Sequence, residues 1–368
     1  MLTTALVVAA RAEIYSLANR PARVTPPQPR ETPAPAFPSD VGKEDEVGLA
    51  MVEQTIDPSG AVIRSDVVAQ AHPKFGEAAY RAARNWKYEP AKMDGRPVAF
   101  RELAPVVFTK EKNETLEEHL AGAEAVLLGF PLKPPSELGE KYHYDLLPEP
   151  VEVAAPIYPW QQFVSGKSGS ATVGYGLDEA GHVVEARIVN ATEPAFGQAL
   201  LAAVESWRFK PAKKKDGTPT LAVARLKFDF NLYLPPDAPE IALRGELAAA
   251  EKSASAKKEE QTEFTAKDLD APLRPSHREP PAYPLACVRD APGGGRAVIE
   301  CLIDRDGWVR LPHVISATRE EFGWAAATSA ARWKFEPPKR HGEPAVVRVR
   351  LPFAFKPVEP PPPAKPSE

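Results

Sequence analysis

The feature that most constrains this chain is a pattern of turn, helix and strand residues that occurs three times in one register. Each copy has a turn with Asp at its first and Gly at its fourth position, and a Phe-Gly pair begins 15 residues after that Gly. A Trp lies 26 residues after the Gly, a Pro follows four residues later, and a Gly-x-Pro opens the last segment. The turn glycines and the tryptophans are Gly60, Gly181, Gly307, Trp86, Trp207 and Trp333. Repetition of this kind predicts three tandem modules.

The residues between these landmarks predict the elements of one module. The turn joins two runs of alternating apolar and polar residues, which is typical of a β-hairpin. Phe196, Leu200, Ala203 and Trp207 recur at helical spacing, and Pro211 ends that helix. An aromatic-Pro pair upstream of the turn begins each copy with a short helix, and an alternating run ending in Phe closes it. The sequence therefore predicts an α+β fold of three small two-layer modules, each a short helix followed by ββαβ around a three-stranded antiparallel sheet.

Composition separates the modules from the segments that join them. The 42 prolines among 368 residues cluster between the repeats, where they favour extended spacers. We expect the following division: 1–12 a truncated signal peptide, 13–36 a Pro-rich linker, 37–110 the first module, 111–154 a linker with a helix from Glu114 to Leu127, 155–233 the second module, 234–279 a charged linker with a helical stretch from Ile241 to Glu263, 280–357 the third module, and 358–368 a Pro-rich tail.

The N-terminal residues favour export from the cytoplasm. Residues 2–10 are apolar and precede Ala10-Arg11-Ala12, which has the form of a signal-peptidase site but lacks a basic segment before it. We expect the end of a signal peptide; a cytoplasmic N-terminus and the stub of a membrane anchor are the alternatives. No stretch reaches the roughly 18–20 apolar residues of a membrane helix. We therefore expect a periplasmic chain without a membrane span.

The helix ends carry the residues of a known family. They read Trp-Lys-Tyr-Glu-Pro, Trp-Arg-Phe-Lys-Pro and Trp-Lys-Phe-Glu-Pro, from Trp86, Trp207 and Trp333. Together with the aromatic-Pro pair, the Asp-x-x-Gly hairpin and the terminal Phe, they resemble the TonB C-terminal domain family over more than half of the chain. The first copy departs from the pattern, because Phe37 replaces Tyr and Gln54 lies on the inward strand face.

This resemblance implies a periplasmic module that binds a short segment of an outer-membrane receptor, largely by adding it as an extra strand. We expect a protein- or peptide-binding protein with outer-membrane receptors as candidate partners. The alternative is an inner-membrane-anchored energy transducer that faces the periplasm and whose anchor is missing; a third is a structural spacer whose modules stack. Scattered histidines, the absence of Cys-x-x-Cys spacing and a net charge of −4 favour no enzyme activity, no cofactor, no metal and no nucleic-acid partner.

The edge of the sheet is the predicted docking site. The third long strand is expected beside the first, at an edge with unpaired backbone groups. Pro105 and Pro352 remove one N–H donor from that edge, whereas the middle module has Lys227 at the same position. We therefore predict strand addition along residues 221–230; in the alternative, Lys227 is a charge that discourages pairing and every edge stays empty. The predicted contact residues are Leu221, Val223, Arg225, Lys227, Phe228, Tyr158 and Tyr283.

The two cysteines are predicted to face one core. Cys287 lies on the short first helix of the third module, and Cys301 lies on the inward face of its first strand. In an oxidising compartment they would be able to form a disulfide that joins helix to strand. Two separate buried thiols are the alternative.

Overall fold

The computed structural model describes residues 13–39, 41–42, 47–110, 122–231 and 264–358. The predicted signal peptide, nearly all of the Pro-rich tail, the helical stretch expected at 241–263 and the start of the helix expected at 114–127 lie outside these residues. The described part of the chain forms three modules of helices and strands with several small sheets.

In each module two long strands, a long helix, short strands and a last long strand follow one another in the same order, and the elements before them differ. The first module contains β1 (Ile14–Ser16), β2 (Val24–Thr25), β3 (Gln28–Glu31), β4 (Val47–Ile56), β5 (Val62–Gln70), α1 (Pro73–Ala83), β6 (Lys87–Glu89), β7 (Lys92–Met93), β8 (Arg96–Pro97) and β9 (Ala99–Thr109). The middle module contains α2 (Ala123–Leu127), a 3-10 helix (Glu140–Tyr142), β10 (Glu149–Glu152), α3 (Trp160–Ser165), β11 (Gly169–Leu177), β12 (Val183–Ala191), α4 (Pro194–Glu205), β13 (Arg208–Lys210), β14 (Ala212–Lys213), β15 (Pro219–Thr220) and β16 (Ala222–Phe230). The third module contains β17 (Phe264–Thr265), a 3-10 helix (Ala266–Asp268), β18 (Pro275–His277), α5 (Leu285–Asp290), β19 (Gly295–Ile303), β20 (Val309–Ala317), α6 (Glu320–Ala330), β21 (Lys334–Phe335), β22 (Lys339–Arg340), β23 (Glu343–Pro344) and β24 (Val347–Phe355).

The three long strands of each module form an antiparallel sheet with the last strand beside the first. The strand orders are β5-β4-β9, β12-β11-β16 and β20-β19-β24. The long helix of each module packs on one face of its sheet. The short helices α3 and α5 follow Tyr158-Pro159 and Tyr283-Pro284; the matching stretch of the first module lies partly outside the described residues.

The hairpin turns connect each hairpin to the segment after the long helix. Asp57 Oδ1 accepts hydrogen bonds from the N–H groups of Ser59 and Ala61 at 2.8 and 3.1 Å. Gly60 has φ +89°, and a Cβ there would lie 1.9 Å from the Tyr88 carbonyl oxygen. Only Gly fits this position, because L-residues avoid positive φ and the backbone of Tyr88 leaves no room. The Tyr88 N–H donates to the Gly60 carbonyl at 2.8 Å.

The segment before each aromatic-Pro pair forms a short strand on its module, at residues where the sequence predicted only linker. β3, β10 and β18 pair antiparallel with β6, β13 and β21. The indole N–H of each landmark Trp donates to a carbonyl in this segment: Trp86 to Pro33 at 3.1 Å, Trp207 to Ala154 at 2.9 Å and Trp333 to Glu279 at 2.8 Å. These short strands are irregular at a proline, so they lack the alternation that marks a strand in sequence.

Two of the sheets are larger than the three strands expected. In the first module β1 lies parallel to β9, with Ile14 opposite Ala99. In the third module β17 lies parallel to β24, with Phe264 opposite Val347. Residues upstream of a module therefore extend its sheet.

The modules pack against one another. Helices α4 and α6 are in contact, and the cores of the middle and third modules are continuous. Met51, Val68 and Ala69, from the first module's sheet, are buried in the same core. The interface is extended by α2, which packs on β4. Burial of this kind makes the three modules one packed unit.

Cys287 and Cys301 are both buried in the third module and both are free. Burial raises the pKa of the Cys287 thiol to about 11 and that of Cys301 to about 12. The structure therefore has the two separate thiols and not the bridge, and burial keeps both thiols protonated at neutral pH.

Candidate peptide-docking edges

The predicted contact residues Tyr158 and Tyr283 lie against the cores of their own modules. The Tyr158 ring lies 5.9 Å from Phe196 and 6.0 Å from Phe230, between ring centroids, and its hydroxyl donates to the Lys167 carbonyl. Tyr283 packs in the same way on the Phe residues of α6 and β24. The two tyrosines thus hold the long helix against the last strand.

Two predicted residues, Tyr158 and Phe228, line one cavity of about 230 Å³ where the three modules meet. Arg64 of the first module and Leu311 of the third module line it as well. Tyr283 is not among the lining residues. Phe228 is buried, whereas Arg225 and Lys227 are exposed on the same strand.

The edge of β16 is partly occupied by the chain itself. The Leu221 N–H donates to the Lys141 carbonyl at 3.2 Å, and the Arg225 N–H donates to the Gly129 carbonyl at 3.0 Å. Farther along, the Gln70 side chain donates to the Asp229 carbonyl at 3.0 Å. The expectation of an open edge along residues 221–230, which included Val223, therefore needs correction. Residues of the linker before the module bond to this edge, and the open part is the backbone around Lys227.

The linker segment Leu128 to Phe130 is docked on the middle module as a peptide ligand would be. The Leu128 carbonyl accepts a hydrogen bond from the Tyr175 hydroxyl at 2.8 Å. Gly129 has φ +93°, and a Cβ there would lie 2.4 Å from the Arg225 carbonyl oxygen. The Phe130 ring centroid lies 5.4 Å from that of Tyr175 and 5.6 Å from that of Phe209. Backbone pairing and one inserted ring together hold this segment on the edge.

The first module has an open groove beside the matching edge. The groove measures about 260 Å³ and lies between β9 and residues 29–35, with Trp86 and Tyr88 in its wall. No described residue is inserted there as Phe130 is inserted in the middle module. The first module therefore has an open groove beside residues 102–107 of its last strand, beyond the part of β9 that pairs with β1.

Glu102 and Tyr88, which line this groove, and Gln54, which bonds to Tyr88, are more polar than the matching residues of the middle module. Gln54 and Glu102 lie opposite each other on β4 and β9, and they match Tyr175 and Ala224 of the middle module. Tyr88 matches Phe209. The Tyr88 hydroxyl donates to Gln54 Oε1 at 2.6 Å, and Gln54 Nε2 donates to the Ala83 carbonyl at 3.2 Å. Burial raises the pKa of Glu102 to about 7, and its Oε2 atom has no hydrogen-bond partner among the described residues.

A cluster of buried charges lies where the modules meet. Arg332, at the end of the long helix in the third module, contacts one carboxylate from each region: Glu53 at 3.1 Å, Glu152 at 2.7 Å and Glu279 at 3.1 Å. Arg101 adds a second contact to Glu279 at 2.7 Å. Burial, together with a hydrogen bond shared with Glu279, raises the pKa of Glu152 to about 8. The cluster joins all three modules through one guanidinium.

Comparison with known families agrees with this threefold architecture. The family model described as Gram-negative bacterial TonB protein C-terminal matches residues 33–109, 154–232 and 279–357, more than half of the chain. The chain belongs to the TonB C-terminal family. The resemblance drawn from the Trp-x-aromatic-x-Pro segments is thereby confirmed. No curated protein matches the chain.

Two features of these TonB C-terminal modules escaped the sequence analysis. One is Glu102, a charged residue in an otherwise apolar, inward-facing row. Aligning the copies on the Gly-x-Pro that opens the last segment reveals it, because Ala224 and Val349 occupy the matched positions. The other is the segment Leu128-Gly129-Phe130, which docks on the middle module. In the sequence it is marked only by an aromatic residue between Gly and Pro inside a predicted linker. The strand on which it docks, β16, lies about 95 residues later in the chain, and the spacing of residues in the sequence does not predict contacts over such a distance.

Proposed function

We propose that this chain is a periplasmic partner-binding protein of TonB type, which receives segments of outer-membrane receptors at its sheet edges and catalyses no reaction. Its family supports a TonB-type role in outer-membrane receptor transport. The observation that supports the binding mode is shared by all three modules: a further piece of main chain bonds to the last long strand. These pieces are β1, Gly129 and β17.

Strand addition uses the unpaired backbone groups of such an edge. An added peptide gains main-chain hydrogen bonds, and side-chain pockets along the edge select its sequence. On the middle module the opening around Lys227 is flanked by the exposed Arg225 side chain and the buried Phe228 ring. A receptor segment longer than this opening would compete with Gly129 for the Arg225 N–H. We therefore infer that the linker regulates access to the middle edge.

A membrane-anchored energy transducer is the second candidate. It is favoured by the family and by the apolar residues 2–10 of the sequence. Across the described residues, no helix is long and apolar enough to cross a membrane. Both candidates share the binding step, so one experiment on binding serves both.

Nuclear magnetic resonance titration of the full chain with peptides from the periplasm-facing ends of outer-membrane receptors tests the proposal. We expect backbone amide shifts in residues 221–231 and in the linker at 128–130, because the peptide displaces the linker. Shifts confined to α4, with 221–230 unmoved, would refute strand addition. The variant Phe130→Ala is expected to bind more tightly, since its linker competes less.

A further inference from the structure

The groove beside the last strand is open in the first module and filled in the middle module. In the middle module, the region between β16 and Phe209 is filled by Phe130. In the first module, the same region is empty among the described residues and about 260 Å³ in size. A residue that docked there as Gly129 docks would meet the N–H of Leu103, which matches Arg225 in register. The backbone needed for docking is therefore present in both modules.

The walls of the groove favour a long side chain with an apolar stem. Trp86, Tyr88 and Pro105 line it, together with small or apolar residues of the segment at 29–35. Lysine and arginine side chains lay their methylene groups on such surfaces while their charged ends reach a polar atom. Aromatic walls add attraction for a cation.

The floor of the groove carries a carboxylate that lacks a partner. Glu102 lines the groove, and its Oε2 atom is buried without a hydrogen bond to any described residue. Tyr88, which also lines the groove, donates its hydroxyl hydrogen bond to Gln54. A buried acceptor left unpaired is costly, and a cationic donor satisfies it better than a neutral one.

We infer that this groove binds an extended segment of another protein through a lysine or arginine side chain that pairs with Glu102. The inserted residue takes the position that Phe130 takes in the middle module. The segment adds a main-chain hydrogen bond to the Leu103 N–H, as Gly129 bonds to Arg225. This site is separate from the opening at Lys227 and does not require the partner to be an outer-membrane receptor.

The test uses two labelled peptides and the full chain. The first is acetyl-Leu-Leu-Gly-Lys-Pro-Leu-amide, which follows residues 127–132 with lysine in place of Phe130. The second replaces that lysine by norleucine, which keeps the stem and removes the charge. Fluorescence anisotropy gives both dissociation constants at low salt, where ion pairs are least screened. The variant Glu102→Gln removes the charge in the groove, and Glu89→Gln removes an exposed charge elsewhere in the same module.

We expect the lysine peptide to bind the natural chain at least about tenfold more tightly than the norleucine peptide. Glu102→Gln is expected to abolish that preference, and Glu89→Gln to preserve it. Equal affinities on the natural chain overturn the inference without any variant, as does no binding of the lysine peptide at about 1 mM. A preference that survives Glu102→Gln overturns it as well.

The chain's own tail is the competing occupant, because it carries Lys365. A chain that ends at residue 358 separates the two. Unchanged affinity for the lysine peptide supports a separate partner. A gain of about tenfold or more on truncation shows that the tail fills the groove, which overturns the assignment to another protein.

Discussion

The first and middle modules share a scaffold and differ in what fills the groove beside the last strand. Asp57 and Asp178 hold the same turns, and Trp86 and Trp207 donate to the same backbone segment. In the middle module Phe130 fills the groove, and the residues around it are apolar or aromatic. In the first module the groove is open and carries Glu102.

This difference separates the residues that build the fold from those that line the groove. The turn, the helix and the landmark Trp recur in both modules because their hydrogen bonds involve backbone groups that any copy must satisfy. In the middle module the groove residues contact the Phe130 side chain, which comes from outside the sheet, and in the first module they contact no such ring among the described residues. Exchanging groove residues between modules should therefore change affinity or stability while leaving the architecture intact.

The largest expected effect comes from emptying the middle groove. Phe130→Ala should lower the free energy of unfolding by about 3–5 kcal/mol, because a fully buried ring is lost from between Tyr175 and Phe209. Urea unfolding monitored by circular dichroism measures the change. The matched control is Leu132→Ala, two residues later, where the side chain is 68% exposed. This variant should lower the free energy of unfolding by less than about 0.5 kcal/mol. A cost below about 1 kcal/mol for Phe130→Ala would show that the linker is not docked as described.

The sequence predicted the parts of the modules that repeat in local spacing. The hairpin turn at Asp178, the helix face through Phe196 and the helix end at Trp207 each depend on residues close in the chain. The packing of the three modules into one unit depends on single residues such as Arg332, whose partners are about 50 to 280 residues away. No periodic pattern marks such a residue, since one guanidinium makes one set of contacts.

The short strands β3, β10 and β18 were missed for a different reason. Pro29, Pro150 and Pro275 each lie eight residues before the aromatic residue of the aromatic-Pro pair, so the repeat does extend upstream. Prolines there favour a linker interpretation, because proline is rare inside sheets. The structure uses them at irregular positions of short strands, where the missing N–H costs no ladder bond.

The next largest effect concerns the residue before each landmark Trp, which is Asn85, Ser206 or Arg332. Arg332→Ser gives the third module the residue of the middle one and leaves three buried carboxylates without this partner. We expect a loss of about 3 kcal/mol, at the low end for a broken buried pair, because Glu152, with its pKa raised to about 8, is already protonated at neutral pH. Asn85→Ser, at an exposed position, should change stability by less than about 0.5 kcal/mol. Equal effects of the two variants in urea unfolding would show that the charge cluster does not join the modules.

A smaller and pH-dependent effect is expected at Glu102. Its folded-state pKa of about 7 lies above the ordinary value of 4.5, so the folded protein holds this proton more tightly than the unfolded chain does. Below about pH 4.5 the carboxyl is protonated in both states and does not change the free energy of unfolding. Between about pH 4.5 and 7 the free energy of unfolding falls, because the unfolded chain releases this proton while the folded protein retains it. Glu102→Gln should stabilise the protein by about 2–3 kcal/mol at pH 8 and by almost nothing at pH 4.5. The nearby Tyr88 stays neutral throughout, because burial raises its pKa above the ordinary range.

The measurement is the difference in unfolding free energy between the natural chain and Glu102→Gln across that pH window. Glu89→Gln removes an exposed carboxyl of the same module and is the control variant. A flat difference for Glu102→Gln would show that the carboxyl is solvated in the groove, and the contrast with Ala224 of the middle module would then have no energetic meaning.

The smallest expected effect is on the edge itself, where the middle module has Lys227 and the others have proline. The Lys227 N–H faces outward, since it lies two residues from Arg225, whose N–H bonds to Gly129 outside the sheet. Lys227→Pro should be tolerated, because Pro105 and Pro352 occupy matched strands, and should weaken binding of a receptor peptide by about three- to tenfold through one lost donor. Tyr158→Ala should weaken it less, because that ring packs within its own module.

Pro352→Lys is the reverse exchange on the third module, whose strand is exposed at Arg350 and Ala354, and should strengthen binding there. Dissociation constants from titration calorimetry decide the matter. Unchanged binding after both exchanges would mean that this position does not control docking.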